Sequence, residues 1–278
     1  MKKYTIGFIG YGNMAQAICT AFVSDITKSK LKRYGYKIKV AVSDPDEEKL
    51  NFAPYGVAVT TNNKALVSAC DVIFCAIKPQ VAKEVLSSLD FTGKIVVSIM
   101  ASVSLDVLID LTGNTANKIV RVMPNLNAKI GSAYSTFCYK GLSADEKIFV
   151  ELLLSSFGEV QSLDESLMNV STGICGSGPA FVFKFIKAYY ENGIKNGLDK
   201  KVALNMALST IIGSAYLVES QGEDVDIDSL IKSVCSKGGT TIQGVNHLDE
   251  KEFENTVSCA IDKAIARAEE MSKQNENC

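Results

Sequence analysis

The chain has little of several things that would each announce a function. It has one histidine, His247. A dehydrogenase built on a His–Asp acid/base pair would have to rest on that residue alone. None of its eight cysteines stands at CxxC spacing, which argues against zinc ribbons and thioredoxin-like redox sites, and no metal site is expected. Neither sign of charge dominates: 29 Lys and Arg face 31 Asp and Glu, for a net charge of −2. A protein working by phosphate neutralisation carries a basic excess or stripe, so no nucleic-acid partner is expected. There is no Pro- or Ser-rich linker and no internal repeat. The start, MKKYTIGFIGYGNM, has two lysines, but its apolar stretch is short and broken by glycines, unlike a secretory signal. The charge-free run from Val202 to Val218 is at the lower edge for a membrane span and carries Asn205, Ser209, Thr210 and Ser214. It reads as a helix buried on nearly all sides, a place between subunits being one way to bury it, rather than as a membrane segment.

What is present is ordinary globular material. The 278 residues are 47% hydrophobic and 22% charged, enough for one large or two modest domains with a substantial core. Several cysteines lie in apolar runs such as VIFCAI (72–77), where Cys acts as a small hydrophobe. They read as the reduced thiols of a cytoplasmic protein.

The first half alternates short β-branched runs with helical stretches. Strands are expected at 5–10, 38–43, 57–60, 72–77, 94–99, 119–123, 133–139 and 160–162. Helices are expected at 14–23, 47–52, 64–69, 81–89 and 105–111. The strands are continuous apolar runs, as parallel strands buried on both faces are. The pattern implies an α/β fold with a doubly wound parallel sheet of Rossmann type. After Leu163 the chain reads as almost wholly helical, with helices near 165–172, 180–196, 200–220, 227–235, 241–248 and 251–273. The expected domains are therefore 1–163 and 164–278. Asp199 suits a helix start, and Gly197 and Gly222 follow helix ends.

Between the first strand and helix stands Gly10-Tyr11-Gly12-Asn13-Met14-Ala15, the G-x-G-x-x-A dinucleotide pattern. Gly10 allows a sharp turn, Gly12 lets backbone approach a pyrophosphate, and Ala15 lets the helix pack on the strand. The helix N-terminus offers free N–H groups to the phosphates. The nicotinamide form stays open. An acid ending the second strand suits the ribose of NAD(H), and a nearby cation suits the 2′-phosphate of NADP(H). Here Ser43 can donate to a phosphate, while Asp44 repels one if it faces the ribose. Asp44 capping a turn with Pro45 is an equal alternative, leaving a slight lean to NAD(H). The segment Ala76-Ile77-Lys78-Pro79-Gln80 ends the third major strand, at the sheet edge where such folds bind ligands. Its backbone is expected to line the site, with the Lys78 side chain in solvent.

Two glycine-rich segments interrupt the helical half. Gly173-Ile-Cys-Gly-Ser-Gly-Pro-Ala180 is too dense in glycine for a bland loop. It implies close backbone approach to another surface, either the nicotinamide region or the first domain. Cys235-Ser-Lys-Gly-Gly-Thr-Thr-Ile242 opens a helix with two glycines and two hydroxyls, a small anion site that fits a carboxylate.

With these motifs in hand, the chain resembles the pyrroline-5-carboxylate reductase family from end to end. The resemblance is carried by GFIGYGNMA, AIKPQ, RVMPN, TGICGSGPAF and VCSKGGTTIQGV, in that order. It implies a Rossmann domain followed by an all-helical dimerisation domain, with dimers that assemble into larger rings. It implies reduction of 1-pyrroline-5-carboxylate to L-proline with NAD(P)H, the last step of proline biosynthesis. Gly10, Gly12, Asn13 and Met14 would hold the cofactor phosphates. Ser43, Asp44 and Asn63 would stand near the adenosine, Ala76, Ile77, Lys78 and Pro79 along the dinucleotide, and Met100 and Ala101 by the nicotinamide. Gly239, Thr240 and Thr241 would seat the substrate carboxylate, and the Thr241 hydroxyl would reach the ring nitrogen. The chain departs from the family at Lys237, where proline is usual, at Leu126-Asn127 for Thr-Pro, and at Ser233 for an Asn found in some members.

Two other readings compete. A β-hydroxyacid dehydrogenase would show GxxGxGxxxK, but the lysine position falls on Val182. A non-catalytic dinucleotide sensor would need no Gly-Gly-Thr-Thr turn.

Overall fold

The computed structural model describes residues 1–113 and 118–276. Contacts divide the chain into two compact units, Met1–Ser177 with Lys263–Cys278, and Gly178–Asp262. The boundary thus lies beyond Leu163, and the last helix rejoins the first unit.

In the first unit the chain runs β1 (Lys2–Ile9), α1 (Asn13–Val23), α2 (Asp25–Arg33), β2 (Tyr36–Ser43), α3 (Glu47–Leu50), β3 (Ala58–Thr60), α4 (Asn63–Ala69), β4 (Val72–Cys75) and α5 (Ala82–Leu86). It continues through β5 (Ile95–Ser98), α6 (Leu105–Thr112), β6 (Ile119–Met123), β7 (Ala133–Lys140), α7 (Ala144–Leu154), β8 (Gly158–Ser162) and α8 (Met168–Ser171). The eight strands form one sheet in the order β3-β2-β1-β4-β5-β6-β7-β8. All pairs are parallel except β6 with β7, which is antiparallel. The link from β6 to β7 is a short 3₁₀ turn, Leu126–Ile130, closed by Gly131. That is too short for the crossover a parallel pair requires.

The central strands β4 and β5 are buried at every position, as their unbroken apolar runs require. One core layer stacks Phe8 on Phe74 at 4.9 Å, with Phe22 of α1 edge-on to Phe74. The other face is filled by Ile9, Ile73, Val96, Leu86 and Leu108. Two helices, α2 and α7, lie outside the expected alternation. α2 is a lysine-rich surface helix burying only Thr27 and Leu31. α7 opens with a capping box in which Ser143 and Glu146 each satisfy the other's backbone N–H.

The second unit is helical: α9 (Gly178–Lys195), α10 (Lys200–Ser220), α11 (Ile227–Val234), α12 (Thr240–Glu250) and the start of α13 (Phe253–Glu276). Asp199 caps α10 by accepting from the Lys201 N–H, as expected. Small residues let α9 and α10 approach closely: a side chain at Gly193 would meet Ala203 and Leu198. Burial on nearly all sides of α10 is not what a single chain shows. Only Ala203 and Ala207 of it are buried, while Met206, Ile212, Tyr216 and Leu217 stand half or more exposed.

Candidate active site

The nucleotide end of the first unit lies at the carboxyl edge of the sheet, where β1 and β4 part company. This is the point at which strand order reverses in such folds. Gly10 has φ +89°, and a Cβ there would fall 2.7 Å from the Ala76 carbonyl oxygen. Only glycine fits. Its N–H donates to the Ser43 carbonyl (2.8 Å), and the Ala76 N–H donates to Ile9 (2.8 Å), so the turn is tied to both neighbouring strands. Above Gly12 nothing lies within 4 Å of where a Cβ would stand. Gly12 caps α1 with no side-chain bond, and the first turn holds no acid. Asn13, Met14 and Ala15 therefore begin a helix whose leading N–H groups no side chain among the described residues caps. The residues present fit a pyrophosphate: an open cradle, uncapped N–H donors and no acid in the first helical turn.

Asp44 adopts the turn alternative. It is buried, and its Oδ2 accepts from the Tyr11 N–H at 2.8 Å. Its Oδ1 accepts from the Asp46 N–H (3.0 Å) and the Lys49 ammonium (3.2 Å). Burial pushes this carboxyl up, but those donors outweigh it and hold it below its usual range. The lean to NAD(H), which needed a free acid at this corner, loses its basis. Ser43, also buried, donates to Asn63 Oδ1 at 2.7 Å, fixing the amide at the start of α4. Ala76, Ile77 and Pro79 are partly covered at the end of β4, and the Lys78 side chain is exposed. Met100 is buried and Ala101 partly so, at the end of β5.

The glycine-dense segment resolves toward the first unit. Thr172–Gly176 is a π-helical turn between α8 and α9, closed by the Ser177 N–H donating to the Thr172 carbonyl at 2.9 Å. Such bulges concentrate at functional sites. A Cβ on Gly176 would collide with the Met123 methyl at the end of β6. The Asn125 amide donates to the Cys175 carbonyl at 3.1 Å. The RVMPN and TGICGSGP motifs are thus one packed feature at the sheet edge.

In the second unit, Ser236–Gly239 forms a tight turn. Gly238 has φ +73°, and the Gly239 N–H donates to the Ser236 carbonyl at 3.0 Å. A side chain on Gly239 would collide with Ser236. Gly239 caps α12 without a side-chain bond, the first turn again holds no acid, and Thr240 and Thr241 are exposed. By contrast α2, α6, α7, α10 and α11 each begin with a Ser or Asp side chain accepting from the first turn. The starts of α5 and α8 also lack a side-chain cap, but each continues directly from a 3₁₀ turn (Pro79–Val81 and Glu165–Leu167), whereas α1 and α12 each begin after an extended glycine, where the motifs place them. His247 lies on an exposed part of α12, 3.8 Å from Glu250. Ser233 is also exposed, donating to the Leu230 carbonyl.

Sequence reasoning missed Arg121, Glu165, Asn169 and Ser272, which form one polar network beside the β5–α6 loop, and Asn275, which donates to the Ser102 carbonyl of that loop. The only signal was Arg121, a charge inside an otherwise apolar strand, whose side chain is 5% exposed and ion-paired to Glu165 at 3.2 Å.

Residues 165–271 match the family described as pyrroline-5-carboxylate reductase dimerisation. Residues 5–102 match that described as NADP oxidoreductase, coenzyme F420-dependent. The chain is 38% identical to pyrroline-5-carboxylate reductase of Aquifex aeolicus, over 96% of this chain and 97% of that one. It superposes on Plasmodium falciparum pyrroline carboxylate reductase, solved with NADP bound, with a TM-score of 0.85 and 28% identity, covering 97% and 98% of the two chains. The Streptococcus pyogenes 1-pyrroline-5-carboxylate reductase structure gives 0.84 and 29%, covering 96% and 98%. With kinship that runs the length of both units, the chain belongs to the pyrroline-5-carboxylate reductase family.

Proposed function

We infer that the chain reduces 1-pyrroline-5-carboxylate to L-proline with NAD(P)H, the last step of proline biosynthesis. The observation that carries this is the pair of uncapped, acid-free helix starts at α1 and α12, in a chain related to these reductases throughout. One suits a pyrophosphate and the other a carboxylate.

Gly10, Gly12, Asn13 and Met14 hold the cofactor phosphates through backbone N–H groups. Ser43 and Asn63 line the adenosine corner, with Asp44 behind them bracing the turn. Ala76, Ile77, Lys78 and Pro79 border the dinucleotide, and Met100 and Ala101 border the nicotinamide. Gly239, Thr240 and Thr241 seat the substrate carboxylate. When bound, the reduced nicotinamide supplies the hydride. A protonated cyclic imine is already a good hydride acceptor, so the chain needs no strong base. Its residues orient the ring and exclude water. The Thr241 hydroxyl hydrogen-bonds the ring nitrogen; a poor acid, it orients and relays rather than drives proton transfer.

As a division of labour rather than of compact units, 1–163 binds the dinucleotide and 164–278 binds substrate and dimerises; the dimerisation match over 165–271 supports the second part. The apolar face of α10 meets a second copy, giving a homodimer that assembles further into a ring. The reading includes a cytoplasmic location, where reduced nicotinamide and reduced thiols coexist.

The test mixes the protein with pyrroline-5-carboxylate and either NADH or NADPH and follows loss of the reduced nicotinamide's absorbance, with proline as the expected product. No loss with either cofactor ends the reading.

A further inference from the structure

The segment from β5 to α6 is held in a costly shape. Ser102 has φ +59°, a left-handed conformation that L-residues avoid. Its hydroxyl is buried with no hydrogen-bond partner among the described residues, a second cost. A loop that bears both is kept there by something outside itself.

Two clamps are visible. The Asn275 amide donates to the Ser102 carbonyl at 2.7 Å. Three residues on, the Leu105 N–H donates to Glu165 Oε1, also at 2.7 Å. The clamps are joined. Arg121 donates to Glu165 Oε1 (3.2 Å) and to Asn169 Oδ1 (3.1 Å). Ser272, one helical turn before Asn275 on α13, donates to the same Asn169 oxygen at 3.2 Å. The end of α13 is thereby fastened to the α8 region, and it presents one donor to the loop. Between the end of β5 and Ser102, whose carbonyl is clamped, lie Ile99, Met100 and Ala101.

We propose that Asn275 is a positioning residue for hydride transfer: by holding the Ser102 carbonyl it fixes the Met100–Ser102 backbone against which the nicotinamide rests. This rests on the assignment of Met100 and Ala101 made above. Asn275 touches neither substrate nor cofactor. It sets the shape of the surface that does, and small misplacements at a reacting centre are expensive in rate.

The experiment compares wild type with Asn275→Asp, which keeps the size but loses the donor, and with Asn275→Gln, which keeps it. Each is assayed with pyrroline-5-carboxylate and NADPH or NADH, light and deuterated at the transferred position. Asn275→Asp is expected to lower kcat at least about fivefold, with KM for both ligands within about twofold and an enlarged deuterium isotope effect. Asn275→Gln recovers most of the loss. Ser272→Ala, a milder variant for use if Asn275→Asp folds poorly, shifts kcat and isotope effect in the same direction by less. An unchanged kcat and isotope effect in Asn275→Asp overturns the proposal. So does a drop in kcat matched by a drop in folded protein with the isotope effect unmoved. Wild type that turns over no pyrroline-5-carboxylate removes the assignment beneath it instead.

Discussion

Thr241 sits exposed in the first turn of α12, beside N–H groups that no side chain caps. A hydrogen bond to a charged ligand contributes about 1.5–3 kcal/mol, so Thr241→Ala is expected to lower kcat/KM by about 10- to 100-fold. Because the side chain caps nothing, the melting temperature should not move. Unchanged kinetics would take Thr241 out of the mechanism. Ser102 is the opposite case, a residue whose cost is in the fold. Ser102→Gly removes a left-handed strain of about 1–2 kcal/mol, less the extra freedom glycine gives the unfolded chain. A net gain near 1 kcal/mol raises Tm by about 2–4 °C in a chain this size. The same change loosens the loop, so kcat should fall as Tm rises. A thermal melt beside a steady-state assay checks both, and a lower Tm would show that Ser102 is not strained.

At the scale of elements, the β1–α1 turn separates two kinds of glycine. Gly10→Ala drives a methyl into the Ala76 carbonyl at positive φ, so it should lower Tm by several degrees and weaken cofactor binding with it. Gly12→Val meets open space in the protein and should leave Tm alone while abolishing cofactor binding. Calorimetry with titration of NADPH distinguishes them, and equal losses of Tm would contradict the open cradle. This turn was legible in the residues because its chemistry is local: two glycines and a small residue at fixed spacing between a strand and a helix. The buried β runs and the Gly-Gly-Thr-Thr helix start were legible for the same reason. α2 was not, since a lysine-rich helix burying two residues has almost no apolar stripe to read. α7 left its capping box in Ser143 and Glu146, a signal that was there to be used. What no local pattern carries is partnership across the chain. Asp44 bonding Tyr11, Asn125 bonding Cys175 and Asn275 bonding Ser102 exist only once the sheet has brought distant segments together.

For the molecule as a whole, the second unit cannot be finished by one chain. α10 is 21 residues long and apolar enough to cross a membrane, with 11% of its most apolar stretch buried. A face of that kind marks a partner, and the dimerisation family match says which kind. Ile212→Asp places a charge on that face and should shift the sedimentation coefficient toward the monomer with loss of activity. A wild-type protein that sediments as an active monomer would refute the homo-oligomer. The path of α13 has a different consequence. It starts in the second unit and ends in the first, so Ser272 and Asn275 leave the ribosome only after all of the second unit has been made. The sheet can collapse early around its strands, but the bond from Asn275 to the Ser102 carbonyl forms last. On the positioning role proposed for Asn275, a chain clipped within α13 would keep a sheet able to grip the dinucleotide and lose the loop shape that puts it to use, and such a fragment would compete for coenzyme without spending it.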